Sequence, residues 1–531
     1  MTSSPLKLSE ETTFENEDIP TLTKEKIHNT LTEELIIGIC APIGSIREPV
    51  IAELKKQLED EYMYEVRIIK LSDFIAIHGE IDETPVQGQT DHFTKLMAKI
   101  KAGDGLRKKA NEPCLVELAI TDIFTDRVGN KNISGVPLND LIIDLKTRRV
   151  CYIIDSLKHI EELRLLRATY RDIFYLFSIF SPFSERTDNL LNKNLSKEEI
   201  ERLINTDEFE NSQHGQNVRD TFVEGDFFFR VSKPTTPEIG KKVGRYLDII
   251  FESAIVTPSP NEIAMYEAKS AAGNSACLSR QVGAAITNDK GEIISRGWND
   301  VPKFGGNLYK DGEENDNRCF ITGYCSNDSS KDVVAEDVLK SIILNEELKA
   351  LIPQLENLEK GGELYNVLET TIRRNSKIKD LIEFSRSVHA EMHAIIIGSQ
   401  LAGSKMVGGK LFCTTYPCHN CARHIIVAGI TEIYYIEPYK KSLGLLLHDD
   451  ALTEDEDIKD KTKILMFDGV APRRYLEFFT LHGSRKDKLG KVILINKKTK
   501  SPKTRLTLQA IPTLEVQSFH SLRSVGLLSE V

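Results

Sequence analysis

The chain has 531 residues, a formal net charge of −11 and a pI near 5.7, and 40% of its residues are hydrophobic. This length accommodates two or three domains, each with its own core. The acidic balance argues against sequence-independent binding to nucleic acid, which needs many Lys and Arg contacts to phosphate, but it permits a small anionic ligand held by a few placed groups.

The N-terminal residues 1–30 are polar and acidic, and we expect them to form a flexible tail. The nine cysteines are scattered, and only Cys418 and Cys421 have a spacing typical of metal ligands. We find no long apolar run and no signal peptide, so the sequence predicts a cytoplasmic protein that does not span or bind a membrane.

An apolar strand at 35–40 leads into a turn containing Gly44 and then into a helical pattern. That order is the layout of a phosphate-binding loop. The spacing from Gly38 to Gly44 is one residue too long, and Ser45 stands where the motif has its lysine. Kinase chemistry is therefore not expected. Two interpretations stay open: a nucleotide or effector site, and a tight turn in a scaffold.

Residues 31–235 keep an alternating α/β rhythm, and the apolar strand at 150–154 ends in Asp155, the place of a Walker B carboxylate. This half resembles a P-loop kinase of the nucleotide-kinase type with a degenerate loop. The resemblance implies an α/β, doubly wound domain in which Gly38, Gly44, Ser45 and Asp155 line a nucleotide site.

Prolines 234 and 237 mark a boundary before a helical pattern at 238–252. Residues 282–287 and 292–295 are then predicted to form a β-hairpin, because Asp289-Lys290-Gly291 between them is a turn sequence.

An insertion at about 311–380 is acidic at first and helical from Val333 to about Leu381, and we expect it to cover a pocket or an interface. Within it, Cys319 and Cys325 are candidates for a second metal site, although no further His or Cys cluster adjoins them.

The strongest pattern is His389-Ala390-Glu391 followed by Pro417-Cys418-His419-Asn420-Cys421. One imidazole and two thiolates provide three ligands for Zn²⁺ and leave one of its four positions open for water. Glu391 is then placed to carry protons. A structural zinc knuckle and a thioredoxin-like redox pair are the alternatives, but a knuckle needs a second CxxC that the chain lacks.

Residues two apart lie on different sides of a helix, so His389 and Glu391 are predicted to sit at a helix tip. Pro417 predicts another helix start, where the positive end of the helix favours thiolates. His393 lies one turn after His389, and we expect it to pack in the core because two cysteines already complete the ligand set.

H-x-E followed by P-C-x-x-C is the signature of the zinc nucleobase deaminases. Over residues 255–480 the chain resembles the deoxycytidylate deaminases, with Ser275, Arg280 and a Val-Gly-Ala hairpin before Gly-Trp-Asn299. The resemblance implies a cytidine-deaminase-like α/β/α sandwich in which Asn299, Ala390 and Tyr439 contact substrate. Asn299 as a turn residue and residues 439–441 as a solvated turn stay open as alternatives.

The whole chain resembles the bacterial anti-phage deoxycytidine nucleotide deaminases. That resemblance implies free dCTP or dCMP as substrate, hydrolysis at C4 of cytosine with Glu391 as proton carrier, and depletion of dCTP during infection. Assembly into a homo-oligomer, a nucleotide effector at the P-loop-like half and restraint by a regulatory RNA or protein are expected on the same basis. The rival functions are a deaminase of RNA or single-stranded DNA, and a nucleotide sensor without turnover.

The C-terminal extension, residues 481–531, is rich in Lys and Arg up to Arg505 and then becomes apolar. Such a charge run is usually a solvated face, although contact with RNA stays open as an alternative.

Overall fold

The structure of the protein is a computed structural model, and it describes residues 27, 30–84, 88–129, 145–209, 215–232, 236–355, 358–438, 442–508 and 510–528. The predicted N-terminal tail and the substrate residue Tyr439 fall largely or wholly outside these ranges. None of the described helices is both long enough and apolar enough to cross a membrane.

Within the described ranges, the strands form two six-stranded sheets. They are β1 (Leu35–Cys40), β2 (Glu65–Lys70), β3 (Val150–Asp155), β4 (Phe174–Phe180), β5 (Phe227–Arg230), β6 (Gly283–Thr287), β7 (Ile293–Trp298), β8 (Lys410–Thr415), β9 (Glu432–Glu437), β10 (Leu452–Thr453), β11 (Thr462–Met466) and β12 (Gly469–Val470).

Helices lie between the strands along most of the chain. They are α1 (Glu48–Asp60), α2 (Leu71–His78), α3 (Asp91–Lys109), α4 (Cys114–Val128), α5 (Ile160–Tyr170), α6 (Phe183–Leu191), α7 (Lys197–Phe209), α8 (Val218–Phe222), α9 (Thr236–Phe251), α10 (Pro260–Ala272), α11 (Cys319–Thr322), α12 (Ser326–Leu344), α13 (Glu346–Leu351), α14 (Glu363–Thr370), α15 (Ala390–Ala402), α16 (His419–Val427), α17 (Gly444–Leu447), α18 (Tyr475–Phe479) and α19 (Ile511–Ser524).

The first sheet has the order β2-β3-β1-β4-β5-β12, and its first five strands are parallel. Its central strand β1 is apolar on both faces, as expected for a parallel strand covered by helices on each side. Leu35 and Ile37 face a core that includes Leu54 of α1 and Leu247 of α9. Ile36 faces the opposite core, formed with α4 and α5. This arrangement is the predicted doubly wound layering.

The second sheet has the order β7-β6-β8-β9-β11-β10. The predicted hairpin is present as antiparallel β6 and β7, and β8, β9, β11 and β10 run parallel. A side chain at Gly283 would collide with α10, and one at Gly297 would collide with α15. Gly297 pairs with Ala284, the neighbour of Gly283, so these two glycines lie on opposite faces. Helices therefore cover both faces, as in the predicted sandwich.

The two sheets are joined through shared structure. Strand β12, which follows the second sheet in sequence, pairs antiparallel with β5 of the first sheet. Phe228 of β5 also meets Phe467 in an edge-to-face contact, with ring centroids 6.1 Å apart. The assignment of 31–235 and 255–480 to separate domains stays a prediction, because pairing and packing both cross that boundary.

The insertion is helical in pieces. Helix α12 ends at Leu344, α13 follows after the Asn345 cap, and Pro353 lies in a short 3₁₀ turn before α14 begins at Glu363. The sequence prediction of one helical stretch is therefore correct in type, but proline and the Gly361-Gly362 pair interrupt it.

The C-terminal extension divides into two parts. Residues 481–495 are exposed, as expected for the basic run, whereas residues 503–508 and α19 contact the first sheet's unit. The Thr32 N–H donates to the Leu506 carbonyl oxygen, and the Leu508 N–H donates to the Thr30 carbonyl oxygen. Helix α19 then packs on α4. Its Glu515 is fully buried and pairs with Arg127, which also donates to Glu34, while Tyr170 donates to Glu515 over 2.7 Å.

Because Glu515 is one partner of a buried ion pair, we expect Glu515→Ala to lower the free energy of unfolding by about 3 kcal/mol. The midpoint of urea unfolding measures this change. Gln517→Ala, at an exposed position on the same helix, serves as the control and should cost less than about 0.5 kcal/mol. Equal midpoints for the two variants would contradict the packed position of α19.

Candidate metal and catalytic site

The first half of the site is set by the start of α15. His389 is the residue immediately before this helix and Glu391 lies in its first turn, so the helix-tip prediction is confirmed. The Cβ of an alanine at 297 would come within 2.3 Å of the Ala390 carbonyl oxygen. Glycine there lets α15 lie directly on β7, and this close approach fixes the height of His389 above the sheet.

The second half of the site is set by the start of α16. Strand β8 ends at Thr415, and Cys418 is the N-cap of α16, as the proline at 417 predicts. The Ser442 hydroxyl donates to the Pro417 carbonyl oxygen over 2.8 Å, which ties the turn to the loop after β9. Cys421 lies one turn into the helix and is fully buried.

The three predicted ligands converge. The Nδ1 atom of His389 lies 3.3 Å from the Sγ atoms of both Cys418 and Cys421. Nitrogen and sulfur ligands on a tetrahedral zinc ion are about 3.5 Å apart, given ordinary Zn–N and Zn–S lengths. The separations and the donor types therefore fit zinc without rearrangement. Within the described residues, this trio is the one group of three or more metal-type side chains close enough to share an ion.

The side chains of the ligand trio strongly shift one another's pKa values. Hydrogen bonds from the Cys421 thiol and from His389 lower the pKa of Cys418 to about 4. Burial opposes a charge on His389, but its hydrogen bond to Cys418 and the nearby Glu391 carboxylate raise its pKa to about 9. Burial raises the pKa of Cys421, which therefore keeps its own proton. One thiolate is thus formed in advance, and metal binding has to displace the protons of Cys421 and His389.

Glu391 is almost wholly buried, with 4% of its surface exposed. Burial raises the pKa of its carboxyl group, although the nearby His389 opposes the shift. A raised pKa makes a carboxylate a better proton acceptor, which suits a group that carries protons during a reaction.

His393 is not part of the ligand group. Its Nδ1 accepts a hydrogen bond from the Trp298 backbone N–H over 3.2 Å, and its Nε2 lies 3.1 Å from the Asn307 side-chain oxygen. Burial lowers the pKa of this imidazole, so it is neutral with the proton on Nε2. The expectation that His393 packs in the core is confirmed.

The structure describes two of the three predicted substrate residues, Asn299 and Ala390. The Asn299 amide accepts from the Val282 N–H over 2.7 Å and donates to the Arg280 carbonyl oxygen over 2.9 Å, so it braces the turn before β6. Ala390 is fully buried between His389 and Glu391. Tyr439 lies outside the described residues. Their roles in substrate binding stay predictions.

The predicted residues of the P-loop-like half belong to the first sheet and its loops, whereas the ligand trio lies at helix starts of the second sheet. Gly38 is inside β1, where a side chain would collide with Leu157 and Phe174. Gly44 has a φ of +83°, the left-handed conformation that suits glycine. Ser45 is buried, and Asp155 at the end of β3 accepts a hydrogen bond from Arg47 over 2.9 Å.

The loop that contains Ile43 and Gly44 already binds a carboxylate, that of Asp207. The Ile43 N–H donates to the buried Asp207 over 2.7 Å, and Lys158 donates to the same carboxylate over 2.6 Å. A backbone amide and a lysine are the groups that a phosphate-binding loop presents to its ligand. An anion from the chain itself therefore takes up donors that a phosphate would need.

Two charged residues without a predicted role, Arg219 and Glu437, meet at the carboxyl-terminal ends of the strands of the second sheet. Glu437 ends β9, and its carboxylate accepts from Arg280 and also from Arg219 of α8, which is 218 positions earlier in the chain. No local pattern in the sequence links two residues so far apart.

Comparison with known proteins agrees with the geometry. Residues 258–437 match the family described as the cytidine and deoxycytidylate deaminase zinc-binding region, and this range holds all three ligands. These findings support placing the segment in the deaminase superfamily.

Two curated relatives are similar to parts of the chain. ComE operon protein 2 of Bacillus subtilis (strain 168) is 45% identical over 56 residues, 10% of this chain, and the match spans only 29% of that protein. The deoxycytidylate deaminase of Enterobacteria phage T2 is 26% identical over 168 residues, which is 32% of this chain and 74% of the phage protein.

Among solved structures, the dCMP deaminase of cyanophage S-TIM5 in complex with dCMP and dUMP is 19% identical. The match covers 40% of this chain and 99% of that one, with a TM-score of 0.22.

We expect the purified protein to contain about one metal ion per chain and the His389→Ala and Cys421→Ser variants to lose it, because each removes one of three ligands. Metal analysis by mass spectrometry measures the content. Cys325→Ser is the control and should keep the ion, since Cys325 is outside the trio. Loss of metal from Cys325→Ser would instead indicate a second site in the insertion.

Proposed function

We propose that the protein is a zinc-dependent hydrolase that deaminates free deoxycytidine nucleotides, converting dCMP or dCTP to dUMP or dUTP and ammonia. The observation that carries the proposal is the convergence of His389, Cys418 and Cys421 beside the buried carboxyl group of Glu391. The match of residues 258–437 to a deaminase zinc-binding region supports the same chemistry.

The roles of the chain's own residues follow from their placement. His389, Cys418 and Cys421 hold the ion, and zinc bound there lowers the pKa of water so that a nucleophile is available at neutral pH. A C–O bond forms at C4 of cytosine and the bond to the exocyclic nitrogen breaks. Glu391 accepts one proton of the attacking water and delivers it to N3. It then takes the remaining proton from the hydroxyl group on C4 and delivers it to the departing amine. Water and cytosine are thus converted to uracil and ammonia.

A free nucleotide is favoured over a nucleic acid as the substrate. The relatives that match the segment include proteins named deoxycytidylate deaminase. The chain is also acidic overall, with a net charge of −11, whereas binding along a single strand depends on a basic groove with stacking aromatic side chains. A sensor without turnover has no need of a buried carboxyl group beside the ligand trio.

The proposed biological role is depletion of dCTP during phage infection, in the cytoplasm and as a homo-oligomer. Its support is the resemblance of the whole chain to the anti-phage deaminases. A nucleotide effector at the P-loop-like half is part of the same proposal, and such a ligand has to displace Asp207 from the Ile43 amide.

We expect Glu391→Gln to reduce deamination of dCMP and dCTP by at least about 10²-fold, because the proton carrier is lost, while metal content and thermal stability stay unchanged. The fall in cytosine absorbance and the release of ammonia measure the rate. In cells, the same variant should lose protection against phage.

The matched control is Glu432→Gln, at the other end of β9, where the carboxylate pairs with Lys410. It should retain activity. Release of ammonia by Glu391→Gln at the rate of the unchanged protein would contradict the proposed role of this carboxyl group.

A further inference from the structure

The contact between Arg219 and Glu437 places a cation from the first sheet's unit at the carboxyl edge of the second sheet. In the parallel pair β8 and β9, Thr415 lies opposite Glu437, and the ligand Cys418 follows Thr415 by three residues. Ligands of open α/β sheets bind outside the carboxyl ends of parallel strands. Glu437 therefore marks the rim of the proposed nucleotide site.

Two guanidinium groups share one carboxylate oxygen at this rim. Arg219 donates from Nη2 to Oε1 of Glu437 over 2.7 Å, and Arg280 donates from Nη1 to the same oxygen over 3.0 Å. These three side chains carry a net charge of about +1, because two guanidinium groups meet one carboxylate. This local excess of positive charge contrasts with the acidic chain around it.

One hydrogen-bond donor at this rim has no acceptor among the described residues. The Nε–H of Arg219 is buried and has no hydrogen-bond partner among the described residues. A buried donor without an acceptor is costly, so the arrangement is incomplete with Glu437 alone. A phosphate group has several oxygens and two negative charges, and guanidinium groups bind it through paired N–H donors.

We propose that Arg219 binds the phosphate of the nucleotide substrate, so that the first sheet's unit completes the active site of the second. The inference rests on the proposed deaminase function and deepens it by assigning a specificity residue for nucleotides over nucleosides. Arg219 lies in α8, outside residues 258–437 that match the deaminase region. A deaminase segment alone lacks this group.

Binding measurements distinguish two possible roles of Arg219: contact with the substrate phosphate, and a purely structural contact between the two units. In protein carrying Glu391→Gln, which blocks turnover, calorimetry compares dCMP with deoxycytidine as ligands. We expect Arg219→Gln to weaken dCMP binding by about 10- to 100-fold and deoxycytidine binding by less than about twofold. Arg219→Lys, which keeps the charge but loses the planar fork, should give an intermediate loss for dCMP alone.

The control is Arg230→Gln, which breaks another arginine–glutamate pair between the units, from Arg230 to Glu456 at 3.2 Å. It should change neither affinity by more than about twofold. Equal weakening of dCMP and deoxycytidine by both Arg219 variants, or no weakening at all, overturns the inference. If the parent protein binds no cytosine compound, the proposed function itself fails, and this result is visible before any arginine is changed.

Discussion

The site depends on the close approach of two helix starts at one edge of the second sheet. Helix α15 can lie against β7 because residue 297 has no side chain, and α16 starts directly after β8, the neighbour of the hairpin. These two constraints bring an imidazole nitrogen and two sulfurs within a single coordination sphere. The buried position of Glu391 follows from the same geometry, since it is two residues beyond His389 on the first turn of the helix.

The rest of the chain holds that edge in place and adds charge to it. Strand β12 extends the first sheet, Phe467 packs on Phe228, and Arg219 reaches Glu437. The C-terminal helix closes the far side of the first unit through Glu515 and Arg127. Each of these contacts joins residues distant in sequence, and those of β12, Phe467 and Arg219 connect the two units.

The ligand trio and its helix tips were predictable from the sequence because the information is local. Spacings of two and three residues decide which side chains share a helix face, and Pro417 marks a helix start. The hairpin and the strands β1 and β3 were predictable for the same reason. The family resemblance added the chemistry that these spacings permit.

What the sequence could not supply are the partners of polar groups across long separations. The Asn299 amide is engaged with the backbone around Arg280 and Val282, and Asp207 occupies an amide of the P-loop-like turn. The sequence also did not indicate that α19 packs on the first unit. The basic run before this helix is typical of a solvent-exposed segment, and an apolar pattern alone does not identify its packing partner. Such pairings are decided by tertiary packing.

The central claim is that the trio and Glu391 hydrolyse the amino group of a free cytosine nucleotide. The most direct measurement is mass spectrometry of a mixture of deoxynucleotides and a cytosine-containing oligonucleotide, incubated with the purified protein in ¹⁸O-labelled water. We expect uracil nucleotides with labelled oxygen at C4, and unchanged oligonucleotide, adenine, guanine and thymine species. Cytosine nucleotides that keep their amino groups, or label appearing in the oligonucleotide instead, would contradict it.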